Sequence, residues 1–390
     1  MKTLVIYHFY AHYREPILRE LLQSRSHAYE FISGDCANLS GLNPLKEVRL
    51  ESQTVALTIV RNVWFKRRIL WQSGLLTKLL LAEYDAVIYL GNAYFLSTWV
   101  GAIISRLRGK RTLMWSHGLY GDERAWQRLV RQLHYSLANG LMLYGNWSRK
   151  KLIENGFDAE SLYVIYNSLN LTLQDELYSR MDATQTTQLR KELFEEPDKP
   201  VLMFIGRLTS QKKVHMLFEA VATLKRQGKP ANILIIGDGP ERERLAKAAE
   251  EFGILDAVCF YGPCFDESTN AKLIYMADIC VAPGEVGLTA MHAMAYGTPV
   301  ITHDERTKQM PEFEAVIEGK SGSFFREGDC NSLANTIGAW MSSRPDRQKV
   351  RDDCRATIHR YFNPEKQATV IDAAVTGLKA SQVCDFMEQQ

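Results

Sequence analysis

One stretch limits the fold of this chain more than any other: residues 283–300, PGEVGLTAMHAMAYGTPV. Just before it, Ile279, Cys280, Val281 and Ala282 form a short apolar run that suits a buried parallel strand. Gly284 and Gly287 bracket a tight turn. Residues 288–296 hold no Gly, Pro or charge and read as a helix, which Gly297 ends and Pro299 keeps from continuing. The pattern is strand, glycine turn, helix, glycine stop, strand. The N-terminus of such a helix presents unpaired N–H groups and the positive end of the helix dipole, so a phosphate would dock near Gly287, Leu288 and Thr289. An ordinary strand-to-helix turn without a ligand fits the same residues, and on this stretch alone both readings stand.

The same alternation runs through the chain. Residues 3–8, 29–33, 85–90, 111–116, 140–144 and 164–166 read as strands, with helices over 17–23, 96–108 and 147–155 between them. This predicts an α/β, doubly wound parallel sheet over residues 1–170. Residues 171–199 are polar without a strand pattern, and read as a connection plus a short helix. A second α/β series starts at Val201 and extends to about residue 363. The end of the chain, about 364–390, reads as a helix that packs back on the first domain. At 390 residues the length allows two domains.

Composition is that of an ordinary globular protein, but charge is unevenly placed. Residues 1–170 carry 21 Lys and Arg against 13 Asp and Glu; the remainder carries 26 against 32. A basic first half predicts a partner that is anionic, a phosphate-bearing acceptor or a membrane surface. No nucleic-acid motif is visible. The seven cysteines are scattered without a C-x-x-C pair, which predicts a reducing, cytoplasmic setting and argues against a disulfide framework or a zinc site. No signal peptide is read at the start.

Two segments bear on membranes. Residues 63–71, VWFKRRILW, set three cations among aromatic and aliphatic side chains. That suits an interfacial helix touching anionic lipid, and equally an amphipathic helix or loop with a solvated basic edge. Residues 86–105 lack charge over the length of a membrane span, yet Gly91 and Asn92 divide them into a strand and a helix.

In the second half, apolar strands end repeatedly in glycine beside a polar or charged residue: Gly206-Arg207, Gly237-Asp238-Gly239, and Gly284-Glu285-Val286-Gly287. These ends share one edge of a parallel sheet. That edge gathers Arg207, Lys212, Lys213 and a helix tip, and cations with an amide cradle are what a diphosphate needs, because its charge is spread over several oxygens. His117-Gly118 sits at the carboxyl end of a strand in the first half, where open α/β sheets bind ligands.

At these motifs the chain resembles the retaining GT-B glycosyltransferases of family four. GRLTSQKK (206–213), NILIIGDGPERERL (232–245), MADICVAPGEVGLTAMHAMAYGTPVI (276–301) and GKSGSFF (319–325) carry the resemblance, which is denser over 200–330 than over 1–170. It implies two Rossmann-like domains facing across a cleft, the first on the acceptor side and the second binding a UDP- or GDP-sugar. Arg207 and Lys212 would hold the donor diphosphate and stabilise charge on the leaving phosphate. Gly206, Gly237, Gly239, Tyr261, Gly287, Leu288 and Thr289 would shape the donor site. His117 would lie by the donor sugar. Absence of Asp-x-Asp fits a mechanism without a metal or other cofactor.

The family pair of glutamates is altered. The second position is His292 and the first is Gly284, with Glu285 one residue on. His292 is expected to contact the ribose and Glu285 the sugar. Tyr10 and Arg14 are acceptor contacts by position. The implied activity is transfer of a hexose to a growing glycan, lipid-linked and of the surface-polysaccharide type, by an enzyme peripheral on the inner membrane face. The missing glutamate motivates an alternative, a non-catalytic nucleotide- or glycan-binding partner subunit.

Overall fold

A computed structural model describes residues 1–35, 44–343 and 346–387. It divides into two compact α/β units, one of residues 1–170 with the segment from Tyr361 on, the other of residues 171–360.

The strands of unit 1 are β1 (Lys2–Tyr7), β2 (Ala28–Gly34), β3 (Glu47–Arg49), β4 (Thr54–Ala56), β5 (Thr58–Phe65), β6 (Ile69–Ser73), β7 (Ala86–Leu90), β8 (Arg111–Ser116), β9 (Gly140–Leu143) and β10 (Leu162–Val164). Its helices are α1 (Glu15–Leu22), α2 (Leu75–Leu81), α3 (Leu96–Leu107), α4 (Ala125–Tyr135) and α5 (Asn146–Glu154). The main sheet runs β10-β9-β8-β7-β1-β2-β5-β6, and β3 pairs only with β4. All neighbours are parallel except β5 and β6. Val5 pairs with Phe31 on one side and Ile88 on the other, so chain order reverses between β1 and β7. Val5, Val87 and Ile88 are wholly buried, as expected of strands covered on both faces.

Unit 2 has helices α6 (Leu171–Ser179), α7 (Ala183–Leu193), α8 (His215–Arg226), α9 (Arg242–Glu251), α10 (Glu267–Met276), α11 (Leu288–Ala295), α12 (Cys330–Ser343) and α13 (Arg347–Tyr361). Its strands are β11 (Val201–Ile205), β12 (Asn232–Ile236), β13 (Val258–Gly262), β14 (Ile279–Ala282), β15 (Val300–His303) and β16 (Gly322–Phe325). They form one parallel sheet, β13-β12-β11-β14-β15-β16, whose order reverses between β11 and β14. Each fully buried Leu, Ile or Val of this sheet is worth about 1.5–3 kcal/mol of apolar transfer.

Three sequence expectations change. Residues 63–71 form a hairpin, not a helix: β5 and β6 pair Phe65 with Ile69, and Lys66 and Arg67 turn the chain with φ of 48° and 54°. The alternation of side chains across an edge pair won over the helical reading. Residues 171–199 hold two helices rather than one. The final segment is α14 (Pro364–Thr376) and α15 (Ala380–Val383), divided at Gly377 with φ of 94°. Ile371, Ala374 and Val375 of α14 belong to the core of unit 1.

Candidate functional site

The loops after β11 and β14 meet where the strand order of unit 2 reverses, the position that binds ligands in open α/β sheets. One glycine lets the loop after β12, and another the loop after β14, close on the loop after β11. A Cβ on Gly237 would lie 2.0 Å from the Gly206 carbonyl oxygen, and one on Gly284 would lie 2.0 Å from that of Gln211. The Gly284 amide donates to the Lys212 carbonyl at 3.1 Å, locking the lysine loop to the loop after β14. The Thr289 hydroxyl donates to the Ile205 carbonyl at 3.1 Å and pins the tip of α11 to the end of β11. At the start of α11 the Ala290 amide donates to the Gly287 carbonyl at 2.9 Å, and the amides of Leu288 and Thr289 have no carbonyl within the helix to bond.

Lys212 Nζ donates to the Glu285 carbonyl at 3.0 Å and lies 3.4 Å from its carboxylate. Arg207 is exposed on the same edge. So Gly206, Arg207, Lys212, Gly237, Gly239, Glu285, Gly287, Leu288 and Thr289 all lie on this one edge of the sheet. Tyr261 lies apart, exposed near the end of the outermost strand β13. Lys213 has φ of 47°, in the left-handed region, and pairs with Glu327 instead of joining Lys212.

His292 is engaged from the side. Its Nε2 lies 3.0 Å from the carboxylate of Glu267 at the start of α10, and the Tyr296 hydroxyl donates to the same oxygen at 2.7 Å. Burial opposes ionisation of Glu267, yet the bonds from His292 and Tyr296 outweigh it and hold the carboxyl below its usual range. Sequence reading missed Glu267, because its partners lie on another helix.

Unit 1 has its own cavity, of about 360 Å³, at the carboxyl ends of β1, β7, β8 and β9. His117 lines it, following β8, and packs at a tilt against Tyr144 with ring centres 4.7 Å apart. Arg14 lines it too, and its Nη2 donates to the Tyr144 hydroxyl at 2.5 Å. His8, directly after β1, and Arg131 of α4 line it as well, with Asn92, Ser116 and Gln127. Burial, and then the charge of Arg14, push His8 and His117 each down to about 4, so both rings are neutral near pH 7. Arg131 is paired with Glu123 at 3.0 Å. Tyr10 departs from expectation. Its side chain is buried, its hydroxyl donates to the Val5 carbonyl at 2.9 Å, and it stacks behind Tyr7 rather than lining the cavity. His8 was findable from sequence, as a polar residue at the end of the first strand.

Among the described residues, no three His, Cys, Asp or Glu side chains are grouped to hold a metal ion.

Residues 185–357 match the family model described as "Glycosyl transferases group 1". A GDP-mannose-dependent alpha-(1-6)-phosphatidylinositol dimannoside mannosyltransferase of Mycobacterium tuberculosis is 29% identical over 191 residues, 48% of this chain and 47% of that protein. The D-inositol 3-phosphate glycosyltransferase of Corynebacterium urealyticum is 30% identical over 219 residues, 54% of this chain and 50% of that protein. The chain thus spans about half the length of the curated relatives it matches. The solved structure of Anabaena Alr3699/HepE in complex with UDP overlays with a TM-score of 0.71 at 19% identity, covering 97% of this chain and all of that one. The lipopolysaccharide outer core galactosyltransferase WaaB in its apo form gives 0.68 at 17% identity, covering 96% and 99%. At such identities these two overlays speak for the fold, which is GT-B. Residues 185–357, just under half of the chain, carry its likeness to the glycosyl transferases group 1 family.

Proposed function

We propose that this protein is a retaining glycosyltransferase that takes a hexose from a nucleoside-diphosphate sugar and passes it to a glycan. Unit 2 binds the donor and the cavity of unit 1 receives the acceptor. The observation that carries the reading is the convergence of Lys212, Arg207 and the tip of α11 on one glycine-built edge. Those groups take the diphosphate, and they stabilise the negative charge that grows on it as the sugar–phosphate bond breaks. Prearranged donors of this kind contribute about 2.7–4 kcal/mol each to transition-state stabilisation. In this reading the protein's own cations do the work that a divalent ion does elsewhere. The alternative of a non-catalytic subunit is disfavoured by Glu267, which keeps a carboxylate beside His292. A thermal-shift screen against UDP, GDP, ADP and their sugars tests donor binding, because a ligand stabilises the folded state according to its occupancy. Release of free sugar or transfer from the best donor separates an enzyme from a binder.

A lipid-linked acceptor at an anionic membrane face completes the proposal. Helix α3 is built inside out: it buries Ser97, Thr98, Gly101, Ala102 and Ser105 and exposes Leu96, Val100, Ile103 and Leu107. Helix α4 exposes Trp126, Leu129, Val130 and Leu133, spaced along one face. Trp99 packs on His134 with ring centres 4.7 Å apart, so the two helices are neighbours. Arg106, Arg108 and Lys110 at the end of α3 and Arg124 and Arg128 on α4 are exposed or half-exposed on these same helices. Apolar faces with cationic borders suit the headgroup layer of an anionic bilayer. No helix among the described residues is long and apolar enough to cross a membrane.

A further inference from the structure

The cavity of unit 1 holds a cation that the protein itself does not neutralise. Among the described residues, Arg14 makes no ion pair with a carboxylate. Its neighbours are aromatic: the guanidinium carbon lies 5.0 Å from the ring centre of Tyr7, 5.3 Å from Trp115, and 5.7 Å from Tyr13 and Tyr144. One nitrogen, Nη2, reaches the Tyr144 hydroxyl. The other, Nη1, is closed off from solvent and has no hydrogen-bond partner. Among the described residues, no Asp or Glu lines this cavity. The ring faces offset part of the charge through cation–π attraction, which is worth about 2 kcal/mol when desolvated. Arg14 is only half-buried and keeps part of its hydration; taking it fully out of water would cost several kcal/mol. Arginine cannot escape by losing its proton.

The same cavity has more unused polar atoms. Nδ1 of His8 and Nδ1 of His117 are both buried without a partner. Three unpartnered nitrogen atoms, one of them on a permanent cation, thus belong to side chains that line one cavity, and buried polar groups of this kind ordinarily have partners.

We propose that this cavity binds an oxyanion, the phosphoryl or carboxylate group of the acceptor, with Arg14 as its counter-charge and His8 and His117 as its hydrogen-bonding neighbours. The inference rests on the reading that unit 1 receives the acceptor, and it adds the chemistry by which that acceptor is chosen. The guanidinium offers such a group its charge and a charge-assisted N–H bond, about twice as strong as the bond it would offer a neutral hydroxyl. The volume of about 360 Å³ accommodates a sugar-sized head as well as the anion.

The test uses the full chain and reads the ring signals of His8 and His117 by NMR, which report on unit 1 alone. Glucose 1-phosphate, glucuronate and neutral glucose are titrated in turn. The expected result is a saturable shift of both rings with at least one of the two anions, and at least tenfold weaker binding of glucose. That anion also raises the pH at which both rings titrate. Arg14→Gln weakens anion binding at least tenfold and Arg14→Lys restores part of it. Which anion acts tells a phosphorylated from a uronate acceptor. The proposal is overturned if neither anion shifts the rings of the folded wild-type chain, or if glucose binds as well as both. Sugar transfer is measured separately. Anion binding without transfer keeps this site and defeats the glycosyltransferase reading; transfer to neutral acceptors with no ring shift does the reverse.

Discussion

Lys212 is held by Glu285: its Nζ lies 3.0 Å from the glutamate's backbone carbonyl and 3.4 Å from its carboxylate. Two contacts keep the ammonium at the edge of the sheet in one orientation before any donor arrives. Prearrangement of this kind makes a charge useful in a transition state, because no reorganisation remains. Lys212→Ala is expected to lower turnover about 100- to 1000-fold. The site is on a loop, so the melting temperature should move little. Turnover within threefold of wild type would remove the role of Lys212.

Glu267 receives His292 and Tyr296 together. Its carboxyl is held low, so its ionisation adds stability that is full above the usual carboxylate range and disappears as pH falls through the lowered value. Tyr296→Phe removes one donor and should cost about 1 kcal/mol near pH 7, less at pH 3. Chemical denaturation at both pH values checks this. His292→Ala should weaken donor binding by the same factor as Glu267→Gln if the pair acts as one group.

His134 is buried on α4, with Nε2 3.3 Å from the Thr98 hydroxyl, and burial pushes it down to about 4. A histidine depressed in the folded state takes up its proton in the unfolded state first. Stability therefore falls as pH drops from about 6.5 to about 4. His8 and His117 act in the same direction. His134→Phe should reduce the number of protons taken up on unfolding near pH 5 by about one. An unchanged slope of stability against pH would contradict the burial of a neutral ring.

The hairpin tip at Lys66 and Arg67 places both residues in the left-handed region, where Asn-Gly is the favoured pair. Trp64 and Phe65 beside them are exposed. Replacing the two cations by Asn-Gly should stabilise the protein by about 1–2 kcal/mol while weakening its binding to anionic vesicles. On the apolar face, Leu107→Glu with Trp126→Glu should cut vesicle binding at least tenfold. Flotation with phosphatidylserine vesicles, against phosphatidylcholine alone, gives the comparison; equal binding of all variants would exclude this surface.

Much of the architecture was readable because buried parallel strands are continuous apolar runs, as in residues 201–205 and 279–282. The glycine-built edge of unit 2 was readable for the same reason: glycines follow those runs at fixed places. Reading failed where partners are distant in sequence. Arg14 was picked by position, but its aromatic cage depends on Tyr144, 130 residues on. Tyr10 was misplaced because a tyrosine after a strand reads alike whether it lines a cavity or packs beneath one. The three cations of residues 66–68 hid the turn between β5 and β6. Residues 96–108 read as a helix, but the run did not reveal that the large apolar side chains of α3 face outward.

The central claim is that Arg207, Lys212 and the tip of α11 clamp a nucleoside diphosphate. Calorimetric titration of UDP, GDP and ADP into the wild-type chain and into the Arg207→Ala/Lys212→Ala double variant tests it most directly. The account predicts saturable binding of at least one nucleotide by wild type and affinity lower by at least 100-fold in the folded double variant. Equal affinity in the two proteins, or no binding of any of the three by wild type, would contradict it.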